Sequence, residues 1–261
     1  MNPQTDKVTY QVHLREDVRK ERLDRLLVER GIVQSREKAR SLIMAGKVAV
    51  EGRMMDKPGA QVSVEAELHL GGRQSSYVSR GGEKLEGALE AFGIDPKGMV
   101  VMDVGASTGG FTDCVLQKGA QKVYAVDVGY GQLAWKLQKD PRVMNLERRN
   151  IRYLKKEEIQ EETDLILIDV SFISIEKFLP HLLGFLKEGG GILGLIKPQF
   201  EVGKGEVGKG GVVREAALHQ KVIDRISTFS RGLGLKVVGV TESSLLGPKG
   251  NKEFFIYLKK N

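Results

Sequence analysis

The chain has 261 residues, 41% of them hydrophobic, with a formal net charge of +7 and an isoelectric point near 9.3. That length holds one large α/β domain with a small companion, and a single cysteine, Cys114, excludes an intramolecular disulfide framework and fits a reducing, cytoplasmic setting in which it serves as a buried structural thiol. No apolar run reaches the roughly 18 residues of a membrane span and the first residues are too polar for a signal peptide, so composition points away from membranes and, through its basic excess, towards a polyanionic partner.

Residues 1–19 read as a polar extension with one alternating stretch, Val8 to Leu14, in which His13 is a surface residue. From 20 to 70 the pattern sharpens. Leu23, Leu26 and Leu27 fall at helical spacing and stop at Gly31; Ser35 is an N-cap for a second helix carrying Ala39, Leu42 and Ile43, ended by Gly46. Lys47–Val50 alternates as a strand, Glu51-Gly52 turns, and Gln61–Val64 is expected to pair back. From Lys20 to Lys57, ten Lys or Arg stand against six Asp or Glu, so much of the positive excess sits here.

This segment, with Arg22-Leu23-Asp24, Ser35-Arg36-Glu37-Lys38-Ala39-Arg40, Ala45-Gly46-Lys47-Val48 and Lys57-Pro58-Gly59, resembles the S4 RNA-binding domain. The resemblance implies an RNA-binding face of Arg22, Arg36, Lys38, Arg40, Lys47 and Arg53 that reads backbone and shape; a merely solvated basic surface is the alternative. It departs at Glu51, where such domains often carry Asn.

Gly71 to Ser76 is a flexible, polar joint (71–76), and a second domain runs from 77 to 261. A helix carries Leu85, Ala88, Leu89 and Phe92, with Lys84 in its first turn, where the helix dipole disfavours a cation. Strands follow at Val100–Asp103, Lys122–Asp127, Val143–Leu146, Leu165–Asp169 and Gly191–Lys197, with helices between them, Ile175–Leu186 among these with Pro180 as a kink point, and a long helix from Glu215 to Leu233. Leu235–Val240 and Glu253–Leu258 are separated by a loop alone and must pair antiparallel. The alternation predicts a doubly wound, mostly parallel, seven-stranded Rossmann-like sheet with an antiparallel last strand, plus the small N-terminal α+β domain.

Ligands of such sheets gather at the carboxyl ends of strands, where this chain places Asp103, Asp127, Asp169 and Lys197. Asp103 precedes a turn with Gly105, Gly109 and Gly110 whose spacing is not Gly-x-Gly-x-x-Gly. An acid there repels a pyrophosphate and suits a cofactor bearing a cationic amino group, while Asp127 can accept both hydroxyls of a ribose; together they fit S-adenosylmethionine better than NAD. Asn150, after the Val143–Leu146 strand, is a candidate adenine contact or a loop cap. Gly203 to Gly210 approaches a P-loop but has Gly210 where Ser or Thr must ligate magnesium, so it reads as a mobile loop closing over RNA.

Asp103-x-Gly105-x-x-x-Gly109-Gly110-Phe111-Thr112, with Asp127, Asp169, Lys197 and Glu253, resembles the FtsJ-like ribose 2′-O-methyltransferases. With the S4-like segment, Ser79-Arg80-Gly81-Gly82-x-Lys84, Asp169 to Ser174, Lys197 to Glu201 and Gly250-Asn251-x-Glu253, the chain from about residue 20 resembles the haemolysin-A or TlyA-like rRNA methyltransferases. The resemblance implies a catalytic tetrad of Lys84, Asp169, Lys197 and Glu253. It also implies cofactor contacts from Asp103, Gly105, Ser107, Gly109, Gly110, Phe111, Asp127, Asn150 and Asp169, no required metal, and ribosomal RNA or ribosomal subunits as partner. The rRNA, the nucleotide and the oligomeric state stay open. A non-catalytic RNA-binding or ribosome-binding protein that retains the fold is the competing reading, and a membrane-lytic protein a third.

Overall fold

In the computed structural model, which describes residues 19–70, 76–203 and 205–261, the chain divides into two units, Met1–Gln74 and Ser75–Asn261. The Val8–Leu14 alternation, His13, the joint at 71–75 and Lys204 lie outside the described residues.

In the first unit, α1 (Leu23–Glu29) buries Leu23, Leu26 and Leu27 on one face. The hydroxyl of Ser35 accepts from the Lys38 amide at 3.2 Å and so starts α2 (Arg36–Met44), whose Ala39 and Ile43 enter the same core. β1 (Lys20–Arg22) pairs antiparallel with β4 (Gln61–Ser63), and β2 (Val48–Val50) lies between β3 (Arg53–Met55) and β5 (Leu68–Leu70). The expected return of Gln61–Val64 onto Lys47–Val50 is therefore corrected. Glu51 and Gly52 both have positive φ, 48° and 73°, which makes a two-residue hairpin that hands β2 directly to β3. Glu51 itself is structural, its Oε1 accepting from the Glu67 amide at 2.8 Å.

Asp24 is buried and accepts from Arg22 Nε at 2.9 Å, Arg22 Nη2 at 3.0 Å and Arg36 Nη2 at 3.1 Å. The Arg22 guanidinium holds this carboxyl down to about 2 despite its burial. A folded value below the unfolded one, near 3.8, means that the stabilisation is present above the unfolded value and is lost as pH falls through about 2. Hydrogen-exchange protection of the α1 amides is expected to weaken over that window in the wild type; in Asp24→Asn it starts weaker and changes little with acid.

The second unit is one sheet. Its strands are β6 (Val100–Val104), β7 (Lys122–Val126), β8 (Val143–Leu146), β9 (Thr163–Ile168), β10 (Leu186–Ile196), β11 (Leu235–Glu242) and β12 (Phe254–Lys260), in the order β11-β12-β10-β9-β6-β7-β8. β6 to β10 run parallel, and β12 is antiparallel to both β10 and β11. Alternation sorts the side chains: Leu165 and Leu167 face one core, Ile166 and Ile168 the other. α3 (Gly81–Phe92), α4 (Gly110–Gln117) and α5 (Trp135–Gln138) contribute to the first core; α6 (Leu179–Leu182) and α8 (Ala216–Gly232) contribute to the second, α8 through Val222 and Ile226. The expected helix Ile175–Leu186 is broken into a 3₁₀ turn, the single turn of α6 and a second 3₁₀ turn, because Pro180 donates no hydrogen bond and sits at the start of α6. No described helix is long and apolar enough to cross a membrane.

The chain runs outward from β6 through β7 to β8, then returns to lay β9 on the other side of β6. That reversal opens a crevice at the carboxyl ends of β6, β7 and β9.

Candidate active site

A cavity of about 390 Å³ occupies the crevice, walled by Val104, Gly105 and Ser107 at the end of β6 and just past it, by Val126, Asp127 and Val128 at the end of β7 and just past it, and by Asp169 to Ile173 after β9, with Gln132, Arg149, Asn150 and Ile151. Asp127 is held by two backbone amides, Ser107 to Oδ2 at 2.8 Å and Gly129 to Oδ1 at 2.7 Å. Each oxygen keeps a further lone pair for a ligand hydroxyl.

The glycines serve packing as much as ligand approach. Gly105 has φ +89°, and a Cβ there would meet the Asp169 carbonyl oxygen at 2.5 Å. A Cβ on Gly110 would fall 2.2 Å from Ser79 Oγ and 3.0 Å from the Gly82 nitrogen. The first turns of α3 and α4 therefore touch backbone to backbone, and this contact fixes the turn that carries Lys84.

Of the residues expected at the cofactor, Gly105, Ser107, Asp127, Asn150 and Asp169 line the cavity; Asp103, Gly109, Gly110 and Phe111 do not. Asp103 is fully buried beneath the turn, its Oδ2 accepting from the Thr112 amide at 2.9 Å and the Thr112 hydroxyl at 2.7 Å. Burial, reinforced by the charge of Asp169, pushes Asp103 up to about 7 against the pull of Thr112, and its Oδ1 has no hydrogen-bond partner. Phe111 packs in the core, 6.0 Å from Phe255 between ring centroids. Asn150 accepts from the Arg152 amide at 3.1 Å and caps the 3₁₀ turn Ile151–Tyr153, so its carbonyl does the capping while the residue also walls the cavity.

The four residues of the expected tetrad form two ion pairs. Lys84 Nζ lies 2.6 Å from Glu253 Oε2, with exposures of 11% and 0%. Lys197 Nζ lies 2.6 Å from Asp169 Oδ1 and donates to Ser171 Oγ at 2.9 Å. The Asp169 contact is a close charge pair without hydrogen-bond alignment, and Oδ1 has no directed donor. Asp169 and Lys197 follow β9 and β10, whereas Glu253 precedes β12. Because β12 is antiparallel, with Phe254 opposite Ile196, its starting end lies beside the finishing end of β10 and brings Glu253 to the same edge as Lys197. A Cβ on Gly247 would fall 2.0 Å from Glu253 Oε1, so the loop backbone is pressed against this carboxylate.

Sequence reasoning gave no separate role to Val128, Gln132, Arg149 or Ser171 to Ile173. Ser171 and Phe172 sit inside the stretch Asp169 to Ser174, and the signal was a non-helical polar-aromatic run at a strand end. Phe172 is 88% exposed at φ +69°, and its ring meets Phe200, on α7 (Pro198–Glu201), at 4.9 Å between centroids. Gly208, near the end of the Gly203–Gly210 stretch, forms an antiparallel bridge with Val212 just beyond it. Asn251 anchors its far side, accepting from the Val213 amide at 3.1 Å and donating to the Gly211 carbonyl at 3.0 Å. In the first unit Arg36, Lys38, Arg40, Lys47 and Arg53 are exposed and Arg22 is half-buried, with Arg22 and Arg36 also paired to Asp24. Among the described residues no cluster of three or more His, Cys, Asp or Glu is placed to hold a metal ion.

The family model of FtsJ-like methyltransferases matches residues 77–260, and that of the S4 domain matches residues 21–68. The chain is 48% identical over 242 residues to the 16S/23S rRNA (cytidine-2′-O)-methyltransferase TlyA of Mycobacterium tuberculosis, covering 92% of this chain and 90% of that one. It is 40% identical over 237 residues to Hemolysin A of Brachyspira hyodysenteriae, covering 90% and 98%. Among solved structures, a hemolysin-named protein from Streptococcus thermophilus superposes with a TM-score of 0.74 at 44% identity, covering 94% of this chain and 90% of that one.

Proposed function

We propose, on the premise that this chain belongs to the FtsJ-like methyltransferase family and carries an S4 domain, that it transfers a methyl group from S-adenosylmethionine to a ribose 2′-hydroxyl of ribosomal RNA in the cytoplasm. The observation that carries this reading is the convergence of two lysine–carboxylate pairs on the edge of the sheet that also bears the cavity. Bound there, S-adenosylmethionine supplies an electrophilic methyl group on a sulfonium. The cavity fits such a donor: Asp127 has free lone pairs for ribose hydroxyls, Asp169 adds negative charge near a cationic centre, and Val128 and Ile151 offer apolar surface to a base.

Methyl transfer to a hydroxyl needs alignment and removal of one proton. Lys197, fixed by Asp169 and Ser171, steers the 2′-oxygen and, as the neutral amine once its own proton has passed to solvent, takes the hydroxyl proton and becomes the ammonium; Lys84, locked to the buried Glu253, adds positive charge where the alkoxide develops. Asp103 supports the cofactor turn from beneath through Thr112. Lys38, Arg40, Lys47 and Arg53 of the S4 domain hold RNA backbone.

The test is transfer of tritium from methyl-labelled S-adenosylmethionine to 16S and 23S rRNA from a strain lacking the gene. Label is expected in alkali-resistant dinucleotides, since a 2′-O-methyl group blocks hydrolysis at its own phosphate, and the name of the mycobacterial relative makes cytidine the first acceptor to examine. Label confined to bases would overturn the 2′-O assignment. Cofactor binding with no label on any rRNA would favour the non-catalytic RNA-binding reading.

A further inference from the structure

The loops after β7 and β8 carry a set of exposed rings that the cavity does not use. The Arg148 guanidinium lies 4.0 Å from the Tyr130 ring centroid, Arg152 lies 5.1 Å from that of Tyr153, and Lys139 lies 5.8 Å from that of Trp135. Tyr130 and Tyr153 are each 70% exposed and Trp135 is 73% exposed. The loops are joined, with the Arg148 amide donating to the Gly129 carbonyl at 2.9 Å. They also share a division of labour. Val128, Arg149 and Asn150 wall the cavity, while Tyr130, Arg148 and Tyr153, one to three residues away, do not. Arg148 holds φ +56°, a conformation that residues other than glycine adopt only where the surroundings impose it, and such residues concentrate at functional sites. Neither Arg148 nor Arg152 has a carboxylate partner among the described ion pairs, so the surface is both aromatic and positively charged.

We propose that the Tyr130–Arg148 and Arg152–Tyr153 pairs form a stacking surface for unpaired bases of the RNA substrate next to the acceptor nucleotide. This rests on the reading of the chain as an RNA methyltransferase. Exposed rings with uncompensated arginines bind single-stranded nucleic acid through base faces and phosphates together, and every base offers a face. A duplex keeps its bases stacked on one another and offers these rings nothing but backbone. A protein partner also favours Tyr and Arg, but an uncompensated positive rim beside the cofactor cavity faces whatever polyanion enters to be methylated.

The full chain is titrated with a fluorescent 12-nucleotide single-stranded RNA and with a blunt RNA duplex of the same sequence. Tyr130→Ala/Tyr153→Ala is expected to weaken single-strand binding at least tenfold, the scale of losing base–aromatic stacks, and duplex binding less than twofold. Tyr130→Phe/Tyr153→Phe keeps the rings and is expected to bind like the wild type. Unchanged single-strand binding by the alanine variant overturns the proposal, as does equal loss on strand and duplex, which would assign the surface to phosphate contact alone. If single-strand binding persists while association with ribosomal proteins falls, the surface belongs to a protein partner. A tenfold loss of S-adenosylhomocysteine affinity in the alanine variant would place the rings in the cofactor cavity instead. These titrations need no turnover, so failure of the wild type to label rRNA would count against the methyltransferase reading and leave the stacking result standing.

Discussion

Lys197→Ala lowers methyl transfer by at least roughly 100-fold, the lower end of what a positioned acid–base group contributes, while S-adenosylhomocysteine still binds within about threefold of its wild-type affinity. The two effects separate because Lys197 is not among the residues that wall the cavity, whereas its partner Asp169 is. The variant is expected to fold. Asp169 retains 25% exposure and so keeps solvent when its cation is removed, unlike Glu253, which has none and would be left as a buried unpaired charge if Lys84 were removed. Lys197→Arg should not rescue. A planar fork cannot sit where a compact ammonium meets both Asp169 and the Ser171 hydroxyl, and it does not give up its proton. Single-turnover transfer of labelled methyl to rRNA, with calorimetry for the cofactor product, reads both quantities. Full turnover by Lys197→Ala would remove this residue from the chemistry.

The strand ends that announce a ligand were legible because they are local facts. β9 ends in the apolar run Leu165–Ile168 followed at once by Asp169, and β6 is apolar except for Asp103, one residue before its end; periodicity reports both without reference to the rest of the chain. What the sequence did not disclose is long-range. Nothing in Glu253-Phe254-Phe255 says that its strand inserts between β10 and β11, yet that insertion alone explains why a residue at the beginning of a strand meets residues at the ends of others. Adjacency to a motif was likewise a poor guide to contact. Phe111 follows the glycines directly and points into the core, because the first turn of a helix that packs on a sheet must bury its apolar side. Arg22 and Arg36 belong to a basic segment, but a buried acid two residues from one and twelve from the other recruits both.

Gly105→Ala couples stability to function in a way that another glycine of the same unit does not. At φ +89° an alanine is strained by about 1–2 kcal/mol, and its Cβ would stand 2.5 Å from the Asp169 carbonyl oxygen, 2.9 Å from its carbon and 3.3 Å from Val170 Cα. All three are backbone atoms, so relief requires the end of β9 to move, at about 1–3 kcal/mol for forced displacement in a packed site. A total of about 3 kcal/mol lowers the melting temperature by about 6–12 °C in a unit of this size. The displaced segment is also the cavity wall and the mount of the Asp169 carboxylate that pairs with Lys197. Cofactor affinity should therefore fall at least about tenfold, and transfer should fall further than saturation with cofactor can restore. Gly93, in the left-handed C-cap of α3 at φ +64°, has nothing within 4 Å of its would-be Cβ. Gly93→Ala should show the backbone strain alone: a smaller drop in melting temperature with cofactor affinity unchanged. Equal cofactor affinities in the two variants would mean that the contact between residue 105 and Asp169 does not shape the site.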